Sequence, residues 1–296
     1  MTTIRHSYLV GLIGAGIGAS LTPAMHEREG DLHGMRYLYN RIDLLDLNLD
    51  LSALPELLLA AERMGFAGLN ITHPCKQEVI QYLDEVSEEA AAIGAVNTIV
   101  FSPQGRIGYN TDATAFLRSF QSEIGTEGID NIILIGAGGA GTAVAHVLAE
   151  SGIKRLTIFD IRQDSARKLV EKLQSKYTGI LVDVGVDMRS AMGSADGVIN
   201  ATPMGMASEP GIALSPQLLR PSMWVADIVY FPIETELLRH ARSLGCKTMD
   251  GGGMAVYQAA GSFQLFTGTA ADSSRMVRHF RELINGDSDG RQRKVV

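Results

Sequence analysis

The run Ile132-Ile-Leu-Ile-Gly-Ala-Gly-Gly-Ala-Gly141 constrains the fold of this chain more than any other segment. Four apolar residues read as a buried strand, and glycines at 136, 138 and 141 turn it directly into a helix-forming stretch. Gly136 permits a tight turn, Gly138 lets the backbone approach a pyrophosphate, and Gly141 lets helix and strand pack closely, with Ala137, Gly139 and Ala140 completing the turn. Phosphates then rest on the free N–H groups at the helix start. Asp160 ends the next strand at about the spacing of a ribose-binding acid. A carboxylate there accepts from a ribose 2′-OH and repels a 2′-phosphate, which favours NAD. Arg162 can swing towards such a phosphate, so NADP stays possible. The plainer alternatives are a strand-end acid and a solvated arginine.

The rest of the chain follows the same alternation. In the first part, residues 8–13, 66–72 and 97–102 read as strands and residues 54–64 and 77–83 as helices, with a turn at Pro103-Gln-Gly105. The pattern then restarts more regularly, with strands at 131–135, 155–160, 197–200, 225–229 and 248–250. Helices fall at 141–151, 165–177 and 234–244. That is the pattern of a doubly wound parallel sheet. A boundary is expected near residues 112–128, where a helix runs into the polar stretch Ser122 to Gly128. Helical patterns at 255–265 and 274–284 have no strands beside them and are expected to return to the first domain.

Composition narrows the function classes. With 296 residues, 46% apolar and 20% charged, the chain has the length for two domains and a sizeable core. A net charge of -7 argues against a nucleic-acid partner. No apolar run reaches transmembrane length and no signal peptide is evident, so the cytoplasm is expected, with no membrane partner. Two scattered cysteines, Cys75 and Cys246, make neither a disulfide framework nor a zinc site. His26 stands with Glu27 and Glu29 but lacks converging ligands, so no metal is expected. The basic residues Arg291, Arg293 and Lys294 belong to a frayed tail.

A second glycine run, Gly11-Leu-Ile-Gly14-Ala-Gly16-Ile-Gly18, also follows a strand. No acid ends a following strand at the right distance, so it reads as a flexible ligand loop rather than a second cofactor site. Ser20 and Thr22 beyond it can satisfy a carboxylate or cap the helix that starts near Pro23. Three polar motifs then interrupt apolar context: Asn70-Ile-Thr-His-Pro-Cys-Lys76, Gly94-Ala-Val-Asn97-Thr and Gly108-Tyr-Asn-Thr-Asp112. Hydride transfer from a secondary alcohol needs one group to move the hydroxyl proton and another to offset charge on the oxygen. Lys76 and Asp112 can supply both as an ion pair, or be a helix-start lysine and a cap. His73 reads as a structural histidine in a turn, and Cys75 as a turn filler. Later, Asn200-Ala-Thr202-Pro-Met204-Gly-Met206 enters a loop suited to meeting a nicotinamide, as does Val229 at a strand end. Tyr230 can touch substrate or pack in the core. Gly251-Gly-Gly-Met254 leads into a helix carrying Gln258, whose amide both donates and accepts. Met204, Met206 and Met254 read as soft packing around the cofactor ring.

Taken together, Asn70-Ile-Thr-His-Pro-Cys-Lys76, Gly94-Ala-Val-Asn-Thr98, Asn110-Thr-Asp112, Gly136-Ala-Gly-Gly-Ala-Gly141, Asn200-Ala-Thr-Pro-Met-Gly205 and Gln258-Ala-Ala resemble the shikimate/quinate dehydrogenase family, in order, over about residues 8–268. The resemblance implies an α/β fold of two domains, an α/β substrate-binding domain and a Rossmann-type doubly wound parallel sheet. The first would span 1–112, completed by helices at 255–285. The second would span 113–254, with a disordered tail at 286–296. It implies Lys76 and Asp112 as the catalytic pair, Ser20 and Thr22 on the substrate carboxylate, Thr72, Asn97 and Gln258 on ring hydroxyls, and Tyr230 near the carboxylate. The cofactor would meet residues 136–141, Asp160, Arg162, Thr202, Met204, Met206, Val229, Gly251 and Met254. The substrate would be a carboxylated cyclic polyol, shikimate or quinate, and the protein a monomer or homodimer. Two departures point to the NAD-using branch that accepts quinate. A Ser-x-Ser pair becomes Ser20-Leu-Thr22, and the Asn-Arg-Thr turn of NADP users becomes Asp160-Ile-Arg162. An NADP-dependent shikimate dehydrogenase is the nearest alternative. A methylenetetrahydrofolate dehydrogenase would need a tyrosine shortly before the lysine, whereas Tyr82 follows Lys76. A non-catalytic nucleotide-binding module would not need both Lys76 and Asp112.

Overall fold

A computed structural model describes residues 6–288. The chain divides into two compact units, residues 1–111 with 256–296, and residues 112–255.

The first unit alternates strand and helix: β1 (Ser7–Gly14), α1 (Thr22–Leu32), β2 (Arg36–Asp43), α2 (Leu54–Arg63), β3 (Gly68–Ile71), α3 (Cys75–Glu78), β4 (Glu85–Val86), α4 (Glu88–Ile93), β5 (Thr98–Ser102) and β6 (Gly105–Tyr109). The strands form one mixed sheet in the order β2-β1-β3-β5-β6-β4, with β1 parallel to both neighbours and β5 antiparallel to β3 and β6. Successive side chains of β1 point to opposite faces of the sheet, and both faces are covered. Ile13 packs with Leu54, Leu58 and Leu69 on one face, while Val10 and Leu12 pack with Tyr37, Tyr39, Phe263 and Phe266 on the other.

The second unit runs through α5 (Asp112–Glu123), β7 (Asn131–Ile135), α6 (Gly139–Glu150), β8 (Arg155–Phe159), α7 (Gln163–Lys176), β9 (Leu181–Val184), α8 (Met188–Ser194), β10 (Gly197–Asn200), β11 (Trp224–Asp227), α9 (Glu236–Ser243) and β12 (Lys247–Met249). Its sheet is wholly parallel in the order β12-β11-β10-β7-β8-β9. Starting from β9, that is the 3-2-1-4-5-6 order of a doubly wound dinucleotide-binding sheet. The two longest C-terminal helices are α10 (Gly251–Thr267) and α11 (Ser273–Ser288). From Val256 on, α10 belongs to the first unit, where the Phe263 ring stacks on Tyr37 and Phe266 lies over Gly68. Among the described residues no helix is long and apolar enough to cross a membrane.

Several expectations need correction. The helix expected at 77–83 is only the single turn α3, followed by a 3-10 turn over Val79–Tyr82. The strand β2 was missed because its buried residues are the tyrosines, while Leu38 between them is 65% exposed. Helix α11 continues to Ser288, past the tail expected from residue 286, and Arg291, Arg293 and Lys294 lie outside the described residues. The loop after β1 is held from within by the acid that ends β2: the Asp43 carboxylate accepts from Gly16 N at 2.8 Å and Ile17 N at 2.7 Å.

Candidate functional site

In the first unit the loops leaving β1 and β3 converge with the segment entering β5. Thr72 donates its N–H to Ile13 O at 2.9 Å, and Ala15 donates to His73 O at 2.9 Å. The approach is so close that a Cβ on Gly14 would stand 2.3 Å from Thr72 Cγ2. His73 therefore contributes its carbonyl to the architecture, while its exposed ring stays outside it. Ser20 and Thr22 are both buried at the start of α1. The Ser20 hydroxyl accepts from Thr22 N at 3.4 Å, and Arg41 donates to Ser20 O at 2.9 Å. Neither hydroxyl occupies the cap position of α1, which is Leu21 and makes no side-chain cap.

Asn97 is the hub of this unit. Its Oδ1 accepts from Thr111 N at 2.8 Å and from Thr98 Oγ1 at 3.0 Å, while its Nδ2 donates to Thr111 Oγ1 at 2.9 Å. Thr111 Oγ1 donates in turn to Gln258 O at 3.2 Å, tying the hub to α10. Asn70 donates to Thr98 Oγ1 at 3.0 Å and accepts from Tyr39 OH at 2.7 Å, which fixes the floor below Asn97. Lys76 is half-buried on α3, and its carbonyl accepts from Val96 N at 2.8 Å. The structure thus brings Thr72, Lys76, Asn97 and Gln258 into one set of bonded loops. Asp112, buried at the head of α5, follows Thr111 directly in the chain.

In the second unit the three glycines of the motif answer three different demands. Gly136 has φ 104°, in the left-handed region that favours glycine, and a Cβ there would stand 2.7 Å from Ala201 O. A Cβ on Gly141 would stand 2.0 Å from Gly136 O. Above Gly138 there is open space, and this residue is the N-cap of α6, which has no side-chain cap. A turn whose middle glycine leaves room, at the head of an uncapped helix, fits a pyrophosphate. Asp160, just past β8, is half-buried. Its Oδ2 accepts from Ala137 N at 2.7 Å and its Oδ1 from Arg162 N at 2.7 Å. Ile161 beside it is fully exposed.

The opposite wall comes from β10 and β11. Asn200 bonds Thr202, Met204 and Asp227, and a Cβ on Gly136 would reach Thr202 Cγ2 at 3.0 Å. A Cβ on Gly251 would stand 2.6 Å from Val229 O. The methionines divide: Met254 is buried, while Met204 and Met206 are 37% and 38% exposed. Tyr230 is half-buried, as the Tyr230 alternatives of substrate contact and core packing both allow.

Cys75 is fully buried and burial pushes its thiol up to about 11. His26 is sealed between Tyr37 OH (2.9 Å from Nδ1) and Ser262 Oγ (3.3 Å from Nε2), and burial holds its pKa down at about 3. Among the described residues no cluster of His, Cys, Asp and Glu could hold a metal ion. Sequence reasoning missed Asp43 and Asp227, both buried acids ending a strand; for Asp227 a lone acid closing an apolar strand was the available signal.

A parallel sheet in this order, with an open glycine turn at its switch point and a strand-end carboxylate bonded to that turn, defines a dinucleotide-binding α/β protein. Family models match both units: one for the shikimate dehydrogenase substrate-binding domain over residues 12–99, and one for shikimate/quinate 5-dehydrogenase over residues 121–209. The chain is 48% identical to a shikimate dehydrogenase (NADP(+)) of Pseudarthrobacter chlorophenolicus, over 96% of this chain and 98% of that one. It is 47% identical to a quinate/shikimate dehydrogenase (NAD(+)) of Corynebacterium efficiens, over 94% and 99%. The solved quinate dehydrogenase of Corynebacterium glutamicum in complex with NAD aligns with a TM-score of 0.85 at 45% identity, covering 94% of this chain and all of that one. The chain belongs to the shikimate/quinate dehydrogenase family, and is an NAD(P)-dependent oxidoreductase.

Proposed function

We propose that the protein is an NAD-preferring quinate/shikimate dehydrogenase that reversibly oxidises shikimate to 3-dehydroshikimate and quinate to 3-dehydroquinate. The observation that carries this reading is Asp160. Its carboxylate is held on the glycine turn by Ala137 N, and the side chain after it is the exposed, uncharged Ile161. A fixed carboxylate accepts well from a ribose 2′-OH and opposes a 2′-phosphate, and isoleucine supplies no compensating cation.

In this reading Ser20 and Thr22 hold the substrate carboxylate with Tyr230 near it, and Thr72, Asn97 and Gln258 orient ring hydroxyls. The bonded network around Asn97 supports that role, because a side chain whose own amide is already fixed presents its remaining surface in one orientation. Lys76 and Asp112 move the hydroxyl proton and offset charge on the oxygen as it becomes a carbonyl. NAD, when bound, supplies the hydride acceptor at nicotinamide C4. Residues 136–141 with Asp160 and Arg162 hold its adenosine and pyrophosphate. Thr202, Met204, Met206, Val229, Gly251 and Met254 border its nicotinamide end. The enzyme would act in the cytoplasm, as a monomer or homodimer, with a catabolic role in quinate use.

A second reading, an NADP-dependent shikimate dehydrogenase, is favoured by the exposed Arg162 at the head of α7. The pair is separated by exchanging Asp160→Asn together with Ile161→Arg. If Asp160 sets the preference, the exchange shifts kcat/KM from NAD towards NADP by about tenfold or more, about 1.4 kcal/mol. A starting protein that already prefers NADP overturns the NAD reading. Lys76→Met should lower kcat by about 10²–10⁴ with the cofactor Kd retained.

A further inference from the structure

Beyond the residues that border the cofactor, one buried acid controls how two of their loops are built. Asn200 and Asp227 are the last residues of the adjacent strands β10 and β11, in register, and both are 0% exposed. The Asp227 Oδ1 accepts from Asn200 Nδ2 at 2.9 Å and from Val229 N at 3.1 Å, and its Oδ2 accepts from Thr235 Oγ1 at 2.7 Å. Asn200 Nδ2 spends its other proton on Met204 O at 2.9 Å, and its Oδ1 accepts from Thr202 N at 3.1 Å and Thr202 Oγ1 at 2.7 Å. The Thr202 hydroxyl accepts from Met204 N at 3.2 Å. Gly205, with φ 105°, folds the same loop back over Thr235 and Asp227.

An ionised carboxylate only accepts, and the polarity Asp227 imposes agrees with that of the backbone groups Met204 O and Thr202 N. The oxygen facing Asn200 obliges the amide to present Nδ2 on that side. Oδ1 must then face Thr202, and the Thr202 hydroxyl must donate to it. The other carboxylate oxygen obliges Thr235 to donate, which leaves Thr235 Oγ1 to accept from Leu238 N at the head of α9. An amide at position 227 keeps one acceptor oxygen for Asn200 and Val229 N but puts a donor in place of the other, so Thr235 Oγ1 loses the acceptor it donates to.

We infer that Asp227 is a positioning residue for the nicotinamide end of the dinucleotide, acting through Asn200 on the Thr202–Met206 loop and through Val229 N on the loop after β11. This inference rests on the dehydrogenase reading above. Asp227 orders the polar edge that meets the nicotinamide, and it leaves the pyrophosphate turn at residues 136–141 untouched.

That separation sets the experiment. Dissociation constants are measured on the full chain for NADH and for ADP-ribose, which lacks the nicotinamide. Asp227→Asn should weaken NADH by about tenfold and leave ADP-ribose within about twofold. Thr235→Val, which removes the donor to Oδ2 and keeps the carboxylate, should show the same selectivity to a smaller degree and serves if Asp227→Asn does not fold. Thr235→Ser should restore the unaltered values. An equal loss for both ligands, or no loss for either, overturns the inference, because a merely structural residue has no reason to distinguish them. If the unaltered protein binds neither ligand, the NAD reading falls and the inference with it. If it binds both and only the selectivity fails, the reading stands and the inference does not.

Discussion

Gly138 and Gly141 belong to one turn but fail differently when a methyl group is added. At Gly141 the new Cβ would stand 2.0 Å from Gly136 O, a backbone atom that cannot move without opening the turn. Gly141→Ala should therefore cost ~1–3 kcal/mol of stability, read as a lowered unfolding midpoint. At Gly138 the new Cβ enters open space, so Gly138→Ala should keep its unfolding midpoint while KM for the dinucleotide rises. Equal midpoints for the two variants would contradict this division. Both roles were legible in the sequence, because strand, turn and helix follow one another there without interruption. The bonds of Asp43, Asn97 and Asp227 were not, because each depends on side chains from strands far apart in sequence. Nor could the sequence say that Met204 and Met206 are partly exposed, since apolar character alone does not report a loop that faces outward.

At the scale of elements, the strands of the second unit were the most legible, with β7 and β10 matching the bounds expected from their apolar runs. They are buried on both faces, so their runs are continuous and their ends sharp. The first unit was less so. Its β2 buries Tyr37 and Tyr39 and exposes Leu38, inverting the usual sign of the alternation, and β6 is short and half-buried. The α3 segment carrying Lys76 is a single turn because the following residues tighten into a 3-10 turn. What holds the loop between β1 and α1 is an acid from β2. Backbone N–H donors from Gly16, Ile17 and Leu45 hold the Asp43 carboxyl below its usual range, against the opposing pull of burial. Because that pKa is depressed, its stabilisation is present at neutral pH and is lost as pH falls below the ordinary aspartate value near 3.8. Asp43→Asn should loosen the Ser20 loop and raise KM for the polyol acid more than KM for the dinucleotide. An unchanged substrate KM would contradict it. Cys75, buried between the same loops, should resist alkylation in the native protein and react once urea unfolds it.

Across the whole molecule the two units carry buried titratable groups of opposite sign. In the first, His26 is held neutral with a pKa near 3. Between pH 3 and 6.5 the unfolded chain binds the proton that the folded chain refuses, so stability falls as pH drops below 6.5. In the second, burial raises the Asp227 pKa to about 6, so the folded state binds the extra proton between pH 3.8 and 6, and stability falls as pH rises through that window. Hydrogen exchange between pH 4 and 7 should show the His26→Gln variant with a flatter acid slope in the first unit and Asp227→Asn with a flatter slope in the second. Parallel slopes before and after substitution would contradict both assignments. The two-unit architecture itself was legible as a restart of the strand-helix pattern, and the return of the last helices was expected from the absence of strands beside them. The polarity of the buried networks was not, since it is set by three-dimensional neighbours. The central claim concerns the reaction, and steady-state kinetics crossing quinate and shikimate with NAD and NADP tests it most directly. The account predicts turnover of both acids with NAD and a markedly lower kcat/KM with NADP. Clear preference for NADP with shikimate alone would contradict the assignment of Asp160 and Ile161, and no turnover with any pair would contradict the roles given to Lys76 and Asp112.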